Sequence, residues 1–344
     1  MSVQDIISVI IPSRNVDYLL ENSIEKMRQL YPTVKIYLIL DVILPEDYKK
    51  FDENIILLKS DKYTMSAKRN QGVKLADTKY IALIDSDAYP DKNWLEIGID
   101  FLEKNPKYSA ATGCQMNYPN DSFEQKCLRL LRFSPLFSQK EWLKIIELNT
   151  VDTDCEEFMT SNVIIKRDTY LTLNGMNEDF YLAEDNEFSN RMFQNGYKIR
   201  FIANMKVFHR EAETYPFLRK FYAISTYYAK CFVRKIRLKN NSQTFAQFLP
   251  FIGSIFYLAL LFVQIFIFQS KFALNMLIIL PIFIFLALLW NSYVMAKKLG
   301  KDWLKGTIFL IFVSILFCFV WVVGTATGLV KIPLYDERNG YKHY

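Results

Sequence analysis

Ahead of Phe245, apolar positions along the chain switch between two spacings. Ile6–Ile11 is a continuous, largely β-branched run closed by Pro12, the pattern of a strand buried on both faces. Asp17–Tyr31 sets Leu19, Leu20, Ile24, Met27 and Leu30 at helical spacing and stops at Pro32. Val34–Leu40 predicts a second strand ended by Asp41, and Asn54–Leu58 a third. Thr64–Ala76 predicts a helix, Tyr80–Ile84 a strand ended by Asp85, and Asp91–Lys104 a helix with Pro90 just before it. Later, Glu184–Gln194 predicts a helix stopped at Asn195-Gly196, and Met205–Phe208 an apolar strand. Strands alternating with helices of this length predict an α/β domain on a mostly parallel sheet. Ligands of such sheets bind at the carboxyl ends of the strands. Three polar groups sit at those ends: Ser13-Arg14-Asn15, Asp41 and Asp85.

From about Phe245 the pattern changes to near-continuous Phe, Ile, Leu and Val. Three runs, Phe248–Phe268, Phe272–Trp290 and Thr307–Val330, approach or exceed the roughly 20 apolar residues that a bilayer-spanning helix needs. The expected organisation is a catalytic domain over 1–215, a basic juxtamembrane segment over 216–245, three spanning helices over 246–330 and a tail over 331–344. Lys297, Lys298, Lys301 and Lys305 lie between the second and third runs, and Lys271 alone between the first and second. Positive loops stay inside, which predicts a multi-pass protein of the inner or plasma membrane with its N-terminal domain in the cytoplasm. Lys331, Arg338 and Lys342 would then put positive charge on the opposite side. No secretory signal is expected before the first strand.

Composition sharpens this only in places. The chain is 51% hydrophobic with a net charge of +6, too mild to point to nucleic acid. Basic residues gather at Arg219, Lys220, Lys230, Arg234, Lys235, Arg237 and Lys239, beside the apolar region, where anionic headgroups attract them. Five cysteines with no CxxC spacing predict reduced thiols. Ser122–Leu148 is amphipathic, either a helix pair on the sheet or an interfacial element.

Asp85-Ser86-Asp87 follows an apolar strand. Two carboxylates at that spacing can face one small cavity, and hard cations such as Mg²⁺ or Mn²⁺ relieve their repulsion. A turn that caps the next helix would use the same residues. No GxGxxG follows a strand and no GxxxxGK[ST] occurs, so the usual glycine-rich phosphate cradles are absent.

Ser8-Val9-Ile10-Ile11-Pro12-Ser13-Arg14-Asn15, Ala67–Gly72 and Tyr80–Asp87 resemble the opening strand, second block and DxD motif of the family 2 glycosyltransferases. Asn174–Phe180, Ala183-Glu184-Asp185, Arg191, Gly196-Tyr197 and Val207-Phe208-His209 are similar to the family's acceptor-side region, with its ED motif and closing histidine. The resemblance covers about residues 6–210. It implies a GT-A type, mostly parallel nucleotide-binding sheet with flanking helices, followed here by a C-terminal bundle of three transmembrane helices.

It also implies roles. Pro12, Ser13, Arg14, Asn15 and Asp41 would hold the nucleoside. Arg69, Asn70, Asp85 and Ser86 would complete the donor site, with Lys68 better read as part of a solvated helix face. Asp87, with Asp85 and His209, would hold Mn²⁺ or Mg²⁺. Asp185, rather than Glu184, would be the general base. Two departures stand out: Val42-Ile43-Leu44-Pro45 replaces a small polar stretch, and Asn174-Gly175 replaces Gly-Gly. The implied activity is inverting transfer from a UDP-, dTDP- or GDP-sugar to a hydroxyl of a lipid-linked glycan at a membrane, in cell-surface polysaccharide assembly, with no role for nucleic acid. A polyprenyl-phosphate sugar synthase and a non-catalytic membrane scaffold of an assembly complex are the alternatives.

Overall fold

The computed structural model describes residues 3–132, 152–180, 182–233, 241–267 and 271–330. In chain order the elements are β1 (Ile7–Pro12), α1 (Tyr18–Leu30), β2 (Lys35–Leu40), β3 (Ile55–Lys59), α2 (Met65–Leu75), β4 (Tyr80–Leu83), β5 (Ala88–Pro90), α3 (Trp94–Lys104), β6 (Tyr108–Met116) and α4 (Phe123–Arg132). Then come β7 (Thr153–Cys155), β8 (Val163–Lys166), α5 (Arg167–Thr172), α6 (Glu184–Gln194), β9 (Lys198–His209), α7 (Thr214–Val233), α8 (Asn241–Phe262), α9 (Lys271–Ala296) and α10 (Trp303–Val330).

These residues form two compact units. The first holds the chain up to Asn120 and from Asp152 to Arg210. Its described strands make one sheet in the order β3-β2-β1-β4-β8-β6-β9-β5, with β7 on β9. Every residue of β1 is buried, as its unbroken apolar run requires. Alternate residues feed two cores. Ile7, Val9 and Ile11 pack with α1 and α3 on one face. Ile10, Ile81, Leu83, Val163 and Ile165 pack with Val73, Tyr170, Phe188 and Met192 on the other.

The expectation of a mostly parallel sheet is corrected. Strands β1 to β4 pair in parallel, but β8 runs antiparallel to both β4 and β6, and β5 and β7 run antiparallel to β9. The sheet is mixed. The short strands β5 and β7 have three residues each, too few to show a period in sequence.

The second unit takes α4 and everything from Glu211 to Val330 among the described residues. Cys127, Leu128 and Leu131 of α4 share a core with Phe217, Met295, Leu310, Val313 and Phe317. Helix α7 lies close along α10. A Cβ on Gly328 would meet the Thr226 carbonyl oxygen at 2.2 Å, and Thr226 Oγ1 donates to the Gly324 carbonyl at 3.0 Å. Two small residues four apart let helix backbones approach this closely.

All three expected apolar runs are helical where described. One continuous helical stretch, Leu274–Val330, is long and apolar enough to cross a membrane, while Pro250–Phe266 is a shorter apolar helix. The expectation of three spans is corrected to one candidate among the described residues: this stretch takes in most of the second expected run and all of the third, with a kinked 3-10 segment at Lys297–Asp302 in which Gly300 takes φ 62°. Part of the expected interfacial stretch (Phe133–Leu148), the cluster Arg234–Lys239 and the tail from Lys331 lie outside the described residues.

Candidate active site

The carboxyl ends of β1 and β2 are laced together. Ser13 N–H donates to the Ile39 carbonyl at 2.9 Å, and the N–H groups of Asp41 and Val42 both donate to the Arg14 carbonyl at 3.0 Å. Pro12 and Ser13 are buried, whereas Arg14 and Asn15 are exposed and Asp41 half-buried. Behind them stands Lys68, with no exposed surface. Its ammonium donates to the Ser13 carbonyl at 2.6 Å and pairs with Asp41 Oδ1 at 2.8 Å. Burial pushes the Lys68 pKa down, against the pull of the Asp41 carboxylate. The reading of Lys68 as a solvated face is therefore corrected: it ties together two of the expected nucleoside-holding loops. Helix α2 is buried from Ser66 to Asn70 and again at Gly72 and Val73, so it carries no apolar stripe that would have sorted inside from outside.

Arg69 joins two motifs. Its Nη2 donates to Asp85 Oδ1 at 2.8 Å and its Nη1 to Glu184 Oε1 at 2.9 Å. The guanidinium is thus committed to carboxylates of the protein. Burial disfavours charge on Asp85, but the His209 imidazole and Arg69 outweigh it and hold the carboxyl well below the usual range. On Glu184 the balance is reversed: burial, reinforced by neighbouring Asp185, raises the pKa despite Arg69.

Asn70 is buried and fully engaged. Its amide donates to the Met176 carbonyl at 2.8 Å and to Glu178 Oε1 at 3.1 Å, and its Oδ1 accepts from Tyr170 Oη at 2.7 Å and Met176 N–H at 2.9 Å. Its place is beneath the Asn174–Phe180 loop. That loop needs two left-handed residues in a row, Asn174 at φ 58° and Gly175 at φ 70°. Asn tolerates this region, which accounts for the missing first glycine. Arg191 donates to the Leu173 and Gly175 carbonyls at 2.6 and 2.8 Å and so fixes the loop to α6.

Asp85, Asp87 and His209 come together although His209 is remote in sequence. The β5–β9 ladder sets Ala88 opposite His209, and Arg210 N–H donates to the Asp87 carbonyl at 3.1 Å. His209 Nε2 then lies 3.6 Å from Asp85 Oδ2 and 3.5 Å from Asp87 Oδ1. One ligand atom from each residue lies within 4.8 Å of the others, so the group can hold one ion. Two carboxylates and an imidazole suit Mn²⁺ or Mg²⁺. Ser86 is half-buried between the two aspartates. Asp185 stands in the first turn of α6, accepting from Asn186 N–H at 2.8 Å.

A mixed sheet with a carboxylate–imidazole group just past β4 and at the end of β9 is an arrangement of the GT-A type. Residues 8–167 match the family described as Glycosyl transferase family 2, and residues 142–213 match that described as the N-terminal domain of galactosyltransferase. The chain thus carries a glycosyltransferase family 2 domain and is a glycosyltransferase. The fold is similar to that of the mannosyltransferase PcManGT from Pyrobaculum calidifontis in complex with GDP-Man and Mn²⁺, with a TM-score of 0.57, 14% identity, and 94% of this chain and 87% of that one covered. GalNAc-T7 with UDP, GalNAc and Mn²⁺ aligns at a TM-score of 0.46 and 13% identity over 59% of this chain and 43% of that one. No curated protein matches the chain.

Proposed function

We propose that the protein transfers a sugar, with inversion, from a nucleoside-diphosphate donor to a hydroxyl of a lipid-linked glycan, using Mn²⁺ or Mg²⁺. The Asp85–Asp87–His209 group carries this reading. A divalent ion held there supplies positive charge where the diphosphate leaves. The loops at Pro12–Asn15 and Asp41 hold the nucleoside, and Ser86 lies beside it. Arg69 keeps Asp85 charged and aimed, and holds Glu184 back from the acceptor. Asp185 accepts the proton of the attacking hydroxyl. Asn70 acts by fixing the loop over which the acceptor enters. The donor in the complex of the similar mannosyltransferase is GDP-Man, which makes GDP-, UDP- and dTDP-sugars the donors to try.

The apolar stretch Leu274–Val330 supports anchoring in the cell membrane. The lysines Lys297, Lys298, Lys301 and Lys305 support a cytoplasmic catalytic unit in this reading, on the side where a nucleotide-sugar donor would be supplied.

The test is nucleotide release by detergent-purified protein, given UDP-, GDP- and dTDP-sugars with Mn²⁺ or Mg²⁺ and a polyprenyl-linked glycan. Metal-dependent release from one donor, abolished in Asp87→Ala and in Asp185→Ala, is expected. Absence of both release and donor binding across the panel would refute the proposal and leave a membrane scaffold.

A further inference from the structure

Two strands, β8 and β6, separate β4 from β9 in the sheet. They therefore separate Asp85, just past β4, from His209, at the end of β9. The β4–β8 register ends at Leu83 opposite Val163. Asp85 lies two positions after Leu83 and Ser161 two positions before Val163, so both lie just beyond the same end of the β4–β8 ladder. On β6, Gln115 pairs with Val207, two residues before His209. Gln115 Nε2 donates to Ser161 Oγ. Ser161 is 2% exposed, and Gln115 Oε1 is buried with no hydrogen-bond partner among the described residues. A buried carbonyl oxygen left without a donor is costly, and one placed beside a ligand site is accounted for by a ligand donor.

The loop that carries Ser161 is tied to the acidic end of α6. Phe158 N–H donates to Ser189 Oγ at 3.3 Å, and Ser189 Oγ donates to the Asp185 carbonyl at 2.6 Å. The Gln115–Ser161 pair thus lies at the end of the sheet that carries Asp85 and His209, with Ser161 on a loop tied to the first turn of α6. In the glycosyl-transfer reading, on which this inference rests, the transferred sugar lies beside these residues.

We infer that Gln115 and Ser161 form the floor of the donor's sugar subsite, with Gln115 Oε1 accepting a hydrogen bond from a ring hydroxyl of the transferred hexose. A site built to receive a hydroxyl rejects analogues that lack it far more strongly than an apolar pocket does. The two residues then set which hexose is transferred, while the nucleoside is held elsewhere.

The experiment uses the full chain in detergent with Mn²⁺. UDP, GDP and dTDP, each alone, and their hexose and deoxyhexose conjugates are titrated by calorimetry, and kcat/KM is measured for each active donor. In Gln115→Leu and Ser161→Ala, affinity for the bare diphosphate is expected to stay within about twofold of wild type, showing an intact fold. kcat/KM for the preferred nucleotide-hexose is expected to fall about 10–100-fold, and discrimination against the deoxy analogue to collapse. Gln115→Glu, which retains an acceptor, is expected to keep that discrimination. Normal diphosphate binding with wild-type hexose discrimination in Gln115→Leu would overturn this inference alone. A wild-type chain that binds no diphosphate would overturn the glycosyl-transfer reading and this inference with it.

Discussion

Lys68 Nζ lies 2.8 Å from Asp41 Oδ1, and the Lys68 side chain has no exposed surface. A lysine inside a protein must be paired, and its second bond, to the Ser13 carbonyl, anchors the loop after β1. Truncating one partner of a buried pair typically costs about 3–5 kcal/mol. Lys68→Met is expected to lower the unfolding temperature of the sheet-bearing unit by several degrees and to abolish nucleotide binding. Thermal unfolding followed by circular dichroism, with calorimetric titration of UDP and GDP, checks both. A variant of unchanged stability would show that the pair is dispensable.

Arg69 spans Asp85 and Glu184 with two separate nitrogens. Lysine offers a single point of charge and cannot serve both carboxylates in this geometry. Arg69→Lys is therefore expected to raise the Mn²⁺ concentration for half-maximal activity and to lower activity about 10–100-fold, the usual effect of removing an outer-shell partner. Metal titration of the initial rate reads the first effect, and the rate at saturating metal reads the second.

Gly175 combines φ 70° with a Cβ position 2.4 Å from Asn70 Oδ1. Gly175→Ala must strain the turn and displace the amide that holds Met176 and Glu178. A loss of about 1–3 kcal/mol is expected. Asn174→Gly is expected to be tolerated, because that position already sits at φ 58°, a region that glycine enters freely. Denaturant unfolding of the two variants side by side gives the comparison.

Glu178 accepts from Lys62 at 2.7 Å and from Asn70 at 3.1 Å. Burial opposes its charge, but these partners win and hold its pKa below the usual 4.5. A carboxylate with a lowered folded-state pKa contributes stability that is present above its unfolded value and lost as pH falls through the folded one. The loop over α2 is expected to become protease-sensitive only under acid conditions below the ordinary carboxylate range. Lys62→Ala should move that onset to higher pH. Limited proteolysis across a pH series, with cleavage sites identified by mass spectrometry, measures it.

Much of the fold is legible in the residues themselves. Continuous apolar runs around Ile10 and Ala82, the helical spacing from Leu19 to Leu30 and the aspartates at strand ends are local signals set by sterics and burial, and the sheet obeys them. The DxD aspartates and the ED pair are likewise visible as residue types at fixed spacing. Pairing direction is not local. Whether β8 runs with or against β4 depends on which chain arrives beside it, and Val163–Lys166 is apolar either way.

The same division runs through the site. The sequence by itself determined that carboxylates would gather at the carboxyl edge of the sheet, that an apolar C-terminal region would follow, and that Asp185 would open a helix. The resemblance grouped His209 with Asp85 and Asp87, but the tertiary structure supplies the means, an antiparallel β5–β9 ladder that closes the distance. The tertiary structure alone decided that Lys68 and Arg69, neighbours on one helix, are both internal and bind different carboxylates. Helix α2 is enclosed on nearly every side, so its burial comes from what surrounds it, and no periodicity in its own residues records that.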